Sequence, residues 1–379
     1  MNRAFTVKLG ARARAKIGRD GLKPQDITCI PAAAGGPKGL ALIPLDQWLF
    51  GEWLWLAQPT GPAARHEPAL IGASIGAWRM AAAAQSDPVA ALAELSRTYI
   101  EDQVYEPDPS TAEVARLIRM LADSTFGAGE GRWVPRAQVS LRVLTARAGG
   151  ALAGNASRGA FAQAALANLA GRKHLARHLR RVVFAGGPPS QIDVMLNGAA
   201  PDAAVNGFDA FGAERVALTS VNAGPSLQAS GSVPLICDPV KVTDGAAAAM
   251  PAGSYWDGGL IDYHLFYPYA KLDGLVLYPH FVDAIVPGWL DKFVPWRKQG
   301  VGGRGSEWLT NVILISPGRE FLATLPNGKL PDRNDFYRYG ADHRRRIADW
   351  KRGVAECQRF AEQAAAWLIK PDLSIALPL

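Results

Sequence analysis

The chain is poor in cysteine. It has three, Cys29, Cys237 and Cys357, an odd number placed far apart. That spacing supports neither a disulfide framework nor a CxxC metal pair, and it fits a reducing compartment. No uncharged apolar stretch approaches the roughly eighteen residues of a membrane-spanning helix. The opening "MNRAFTVKLGARARAKIGRDG" is basic but has no apolar core, which argues against a secretory signal. Zinc-finger spacing is absent and no helix-turn-helix is evident, so the net charge of +7 is not read as nucleic-acid binding. The charge permits attraction to an anionic membrane surface. The expectation is a cytoplasmic protein, at most peripheral at a membrane, with no metal and no organic cofactor.

At 379 residues, 49% hydrophobic and 20% charged, the composition is that of an ordinary globular chain. Hydrophobic residues alternate through "AFTVKL" near the start, as in a strand. "ITCIPAA" (27–33) reads as a buried strand ending in a glycine-rich loop, and "ALIG" (69–72) as a second strand. Between them, 40–57 is helical in pattern, with Pro44 in the first turn. "AWRMAAAAQ" (77–85) is a run of strong helix formers. Asp87-Pro88 opens a helix to about Ile100, and Ser110 with Glu113 forms a capping box for another. Further strands are expected at 139–148, 181–187, 215–221, 274–279 and 311–316. A long helix is expected over 159–180, whose basic end "RKHLARHLRR" would leave His174 and His178 solvated. A last helix over 343–369 carries one apolar stripe, Ile347, Trp350, Val354, Cys357, Phe360, Ala364 and Trp367. The segments 186–212 and 281–310 read as long loops. Strands and helices alternate, which predicts an α/β fold with a largely parallel sheet. The expected organisation is an N-terminal extension (1–26), a catalytic domain (27–280) and a C-terminal extension (281–379) whose helix packs on that domain.

One stretch carries chemistry. In "LIGASIGAW" a strand runs into Gly72-x-Ser74-x-Gly76 and then a helix, the order of a nucleophile elbow. The helix after the serine would aim its first N–H groups at a developing anion. A strand-to-helix turn with small residues for packing is the plainer alternative. A serine needs a base and donors for an oxyanion. "AAAGGPKGL" (32–40) offers the donors: Gly35, Gly36 and Gly39 allow close backbone approach, and Lys38 adds positive charge. The full phosphate-loop pattern is absent there. For the base, His280 and His343 are open candidates, and neither has a motif around it.

Asp257, in "GSYWDGGLIDYH", stands before Gly258 and Gly259, where an acid is usually turn chemistry. In order, however, the loop at 35–39, Gly-x-Ser-x-Gly at 72–76 and Asp-Gly-Gly at 257–259 resemble the patatin-like phospholipase family. "SLQASGSVPLICDPV" (226–240) is similar to the segment that precedes that family's Asp-Gly motif, and the resemblance spans about residues 27–265. The family commonly has Asp-Gly-Gly-Gly at this loop, and here Ala33 and Ala34 replace the first two residues. The resemblance implies a three-layer α/β/α fold and a dyad in which Ser74 is the nucleophile and Asp257 its base. It also implies an oxyanion hole near Gly35, Gly36 and Gly39, with Lys38 matching the family's Arg or Lys. The implied activity is hydrolysis of carboxylic esters of lipids through an acyl-serine. An esterase with a Ser74–acid–His triad and a non-catalytic membrane-surface scaffold are the alternatives.

The chain has 11 tryptophans. Trp48, Trp53 and Trp55 read as core. Trp289, Phe293 and Trp296, interleaved with Lys292, Arg297, Lys298 and Arg304, read equally as a packed loop or as a membrane-interface segment.

Overall fold

The computed structural model describes residues 3–54, 67–127, 135–153, 157–197, 208–297 and 306–379. Its centre is one mixed, largely parallel sheet flanked by helices, in keeping with a three-layer α/β/α fold. The strands are β1 (Phe5–Leu9), β2 (Ile27–Ala32), β3 (Ala69–Ala73), β4 (Leu141–Ala148), β5 (Leu179–Gly186), β6 (Glu214–Ala217), β7 (Val240–Val242), β8 (Gly253–Asp257), β9 (Leu275–Pro279), β10 (Val312–Pro317) and β11 (Leu377–Pro378). They lie in the order β11-β1-β10-β9-β2-β3-β4-β5-β6, with β7 and β8 off this path. From β10 to β4 every neighbouring pair is parallel. β3, β9 and β10 are buried at every residue, as expected of strands covered on both faces. The sheet draws strands from all three sequence segments, β1 from 1–26 and β10 and β11 from 281–379.

The local signals fold as read. Asp87 caps the helix Pro88–Glu101 through Ala90 N (2.9 Å), and Ser110 caps Thr111–Phe126 through Glu113 N (3.2 Å). Pro44 sits in the first turn of the helix Ile43–Trp48. The helix His343–Ile369 buries Trp350, Cys357, Phe360, Ala364 and Trp367 and half-buries Ile347 and Val354. Trp53 is buried and Trp48 half-buried, stacked at 5.8 Å, as a core pair; Trp55 lies outside the described residues. The segments expected as loops hold short helical turns, Gln191–Asn197 and Trp289–Phe293 among them.

The helix expected over 159–180 is shorter. It spans Arg158–Ala170 and breaks at Gly171, whose φ of 152° no helix interior accepts. Leu179 and Arg180 belong to β5, taken up by pairing with Ala148 and Arg147 of β4. The basic stretch is not a solvated face either. Arg172 is buried against Asp291 and Arg181 against Asp262, while His174 and His178 are half-buried.

The helix Ile75–Ala83, directly after Ser74, is buried at every residue. Its one charge, Arg79, donates to both oxygens of the buried Asp46 at 2.6 and 2.8 Å. Removing one partner of such a pair strands a charge in the core. Arg79→Met is expected to lower stability by about 3–5 kcal/mol, read from the midpoint of chemical denaturation.

Candidate active site

Two strands meet end to end along one edge of β4. β3 runs parallel to it and finishes with Ala73 opposite Leu144. β8 runs antiparallel and finishes with Asp257 opposite Thr145, the next residue. The other edge of β4 is filled by β5 along its whole length. Ser74 and Asp257, 183 positions apart in the numbering, thus emerge side by side.

Ser74 has φ 55° and ψ −133°, a strained conformation for a residue with a side chain, as at a nucleophile elbow. Its glycines are steric necessities. A Cβ on Gly76 would lie 2.0 Å from the Ala32 carbonyl oxygen, and one on Gly72 would lie 2.5 Å from the Gly76 carbonyl carbon. The Ser74 N–H donates to Ser230 Oγ (2.8 Å), which donates in turn to the Leu144 carbonyl (2.7 Å). Trp78 Nε1 donates to the Leu227 carbonyl (2.9 Å) on the same helix, Ala223–Ser230. That helix and the turn after it brace both strand ends, because Asp257 N donates to the Ser232 carbonyl (2.9 Å).

Asp257 is buried. Its Oδ1 accepts from Gly259 N (2.6 Å), and the Ser74 side chain lines the same cavity beside it. Burial raises its pKa from 3.8 to about 6, against the lowering effects of the nearby Ser74, of the Gly259 hydrogen bond and of Arg333 and Lys292. The group is therefore ionised at neutral pH yet basic enough to take a proton. Gly258 fits flat against the sheet, where a Cβ would meet the Leu144 carbonyl oxygen at 2.4 Å.

The loop after β2 closes the third side. Ala34 N donates to the Tyr263 carbonyl (2.8 Å), tying it to the turn after Asp257. Gly36 has φ 57° and opens a tight helical turn, Gly36–Leu42. Among the described residues the N–H groups of Gly35 and Gly36 meet no acceptor. Gly35, Gly36, Lys38, Ser74, Asp257 and Gly259 line one cavity of about 280 Å³. Gly39 faces elsewhere and lets Ile75 pack, a Cβ there lying 2.8 Å from the Ile75 side chain.

The histidines do not join Ser74. His264 and His280 are buried, and each uses Nδ1 on backbone groups, of Ala284 and Val286 and of Val282, while Nε2 of each meets no partner among the described residues and neither ring bonds Ser74. Burial lowers the pKa of both, His280 to about 3. His343 lines a neighbouring cavity without a hydrogen bond to Ser74 among the described residues, and His66 lies outside them.

The structure adds residues that the sequence did not single out for the site. Lys292 and Arg333 line the same cavity as Ser74, and Ser230 holds the Ser74 backbone. Ser230 falls inside a segment already noted, and Lys292 inside the aromatic-basic stretch. Arg333 carries no local signal. A second cavity of about 560 Å³ also reaches Ser74 and is walled by Trp78, Tyr99, Val114, Ile118, Leu121 and Leu235.

Compared with family models and with curated proteins, the chain matches none. No helix among the described residues is long and apolar enough to cross a membrane.

Because Asp257 must be ionised to accept the Ser74 proton, Ser74 reactivity is expected to rise with pH through about 6. The rate of labelling by a fluorophosphonate, followed from pH 4.5 to 8, checks this. Asp257→Asn is expected to abolish the limb along with most of the rate.

Proposed function

We propose that the protein is a serine acyl hydrolase of patatin-like type that cleaves carboxylic esters of lipids through a Ser74–Asp257 dyad. The single observation that carries this reading is the strained Ser74 set beside a buried carboxylate of raised pKa, with unpaired loop N–H groups across the same cavity. In the reaction, Ser74 Oγ attacks the ester carbonyl as its proton passes to Asp257. The N–H groups of Gly35 and Gly36, with the start of the helix Ile75–Ala83, stabilise the oxyanion. Asp257 returns the proton to the departing alcohol, and water then releases the acyl group by the same steps. No metal or organic cofactor enters this scheme. An apolar cavity opening beside the nucleophile suits an acyl chain.

Ser74→Ala and Asp257→Asn are each expected to lower hydrolysis of a medium-chain ester by about a thousandfold or more while the circular dichroism spectrum is retained. A fluorophosphonate adduct is expected at Ser74 by peptide mass spectrometry. Normal turnover in the Ser74→Ala variant would overturn the reading.

The partner we propose beyond the substrate is an anionic membrane surface, met peripherally, with no nucleic-acid partner. Phe293 is 73% and Trp296 76% exposed, on the same segment as Lys292 and Trp289 of the active-site cavity. Leu235 and Tyr337, also exposed, line the apolar cavity. Rings and cations at one rim suit headgroup depth. Lys298 and Arg304 lie outside the described residues. Co-sedimentation with phosphatidylglycerol vesicles is expected to fall severalfold in a Phe293→Ala, Trp296→Ala double variant, with binding to neutral vesicles weak throughout.

A further inference from the structure

Two cavities of opposite character share a wall at Ser74. Ser74, Gly36, Val233 and Arg333 line both. Asp257, Lys38 and Lys292 line only the smaller one. In ester cleavage the group that returns the proton must reach the leaving oxygen. The departing alcohol therefore sits on the Asp257 side, and the acyl chain sits in the apolar cavity.

That side carries unbalanced positive charge. Lys38, Lys292 and Arg333 are half-buried, and none has an ion pair or a hydrogen bond from its charged group among the described residues. Lys292 Nζ lies 5.0 Å from the ring centres of both Tyr263 and Trp289, and Lys38 Nζ 5.9 Å from that of Phe281. Aromatic faces hold these ammonium groups but do not neutralise them. Among the described residues the acids of the cavity are Asp257, which accepts from the Gly259 N–H beside Ser74, and Asp332, paired with Lys329 at 2.9 Å.

The cations stand on rigid supports. Asp291, next to Lys292, is fully buried and accepts from Arg172, Arg297, Asn168 and the Gly288 N–H. Asp335, two residues after Arg333, is buried and accepts from Lys329, Trp350 Nε1 and the Asp332 N–H. Two buried carboxylates thus pin the turns that bring Lys292 and Arg333 to one cavity. The crowding is also visible in Lys292, whose pKa is lowered to about 8 by burial and then by Arg333 and Lys38.

We infer that Lys38, Lys292 and Arg333 form an anion subsite for the leaving group, selecting acyl esters whose departing alcohol carries a phosphomonoester. The inference rests on the acyl-hydrolase reading above. A guanidinium and two ammonium groups match the several oxygens and the double charge of a phosphomonoester. They repel the quaternary ammonium of a phosphocholine group, for which no further carboxylate lines the cavity among the described residues. Chemically, the Ser74 Oγ–acyl bond forms as the ester bond to the alcohol breaks. The serine proton leaves with that alcohol through Asp257, and the phosphate departs intact.

The test compares three single-chain esters of one acyl length: a 1-acylglycerol 3-phosphate, the matching 3-phosphocholine and the neutral 1-acylglycerol. In the wild-type protein kcat/KM is expected to be at least about tenfold higher for the phosphomonoester than for either of the others. Lys292→Gln and Arg333→Gln, made singly and together, are expected to shrink that ratio toward one, mainly through KM. Equal kcat/KM for the phosphomonoester and phosphocholine esters, or a ratio unchanged in the double variant, would overturn the subsite. Cleavage of none of the three would strike the acyl-hydrolase reading instead. Calorimetric titration of glycerol 3-phosphate into wild-type protein then judges the subsite separately. Binding at least about tenfold tighter than inorganic phosphate supports a leaving-group site. Equal or undetectable binding removes it.

Discussion

Everything in the site depends on how β4 is shared. Its outer edge takes β5 throughout, and its inner edge is divided between β3 arriving from one direction and β8 from the other. Because the two strands stop at neighbouring residues of β4, the side chains that follow them are forced together without any contact between distant loops having to be selected. Strand pairing is set by backbone hydrogen bonds and by which face is buried, so a slip of one residue would turn each strand over. The Ser74–Asp257 geometry is thus as secure as the sheet register. The helix Ala223–Ser230 and the turn after it secure the junction where no strand can, through Ser230 on the Ser74 backbone and Ser232 on that of Asp257.

The same junction costs stability. Ser74 holds a positive φ without being glycine. Asp257 holds a proton more tightly in the folded state than at its ordinary pKa of 3.8, so this carboxyl destabilises the fold as pH rises from there toward 6. Both costs fall where β2, β3 and β9 each have a strand on both edges, and where every residue of the elbow helix is buried. A rigid surround is what lets a strained serine and a desolvated carboxylate persist in one conformation.

Much of this was legible in the sequence where the signal is local. Ser110, Asp87 and Pro44 declare helix starts by chemistry confined to one turn, and each sits where it was read. Strand-glycine-serine-glycine-helix is likewise a local pattern. Asp257 is different: nothing in its own neighbourhood separates it from turn chemistry, and only an ordered set of motifs, by resemblance, singled it out. Its meeting with Ser74 is a product of strand register, which no periodicity reveals. The helix over 159–180 was overextended for a related reason. Residues 179–181 form helix or strand with little local preference, and pairing with β4 decides the matter. That Arg333 and Lys292 meet in one cavity was out of reach, because the buried Asp335 and Asp291 deliver them to walls built by other parts of the chain.

The cations and the base are also one electrostatic system. Burial pushes the Asp257 pKa up while Ser74 and the Gly259 N–H, and then Arg333 and Lys292, pull it down, and the balance lies near 6. An anion seated on those cations would cancel part of their pull and make Asp257 a stronger base while the substrate is bound. When the alcohol departs with its charge, the carboxylate again feels the bare cations and holds its proton less tightly. Proton affinity at Asp257 would thus be greatest when a proton must be taken from Ser74 and would fall once the leaving group is gone. In the proposed reaction, two cations acting on one carboxylate would couple leaving-group recognition to general-base strength without any moving part.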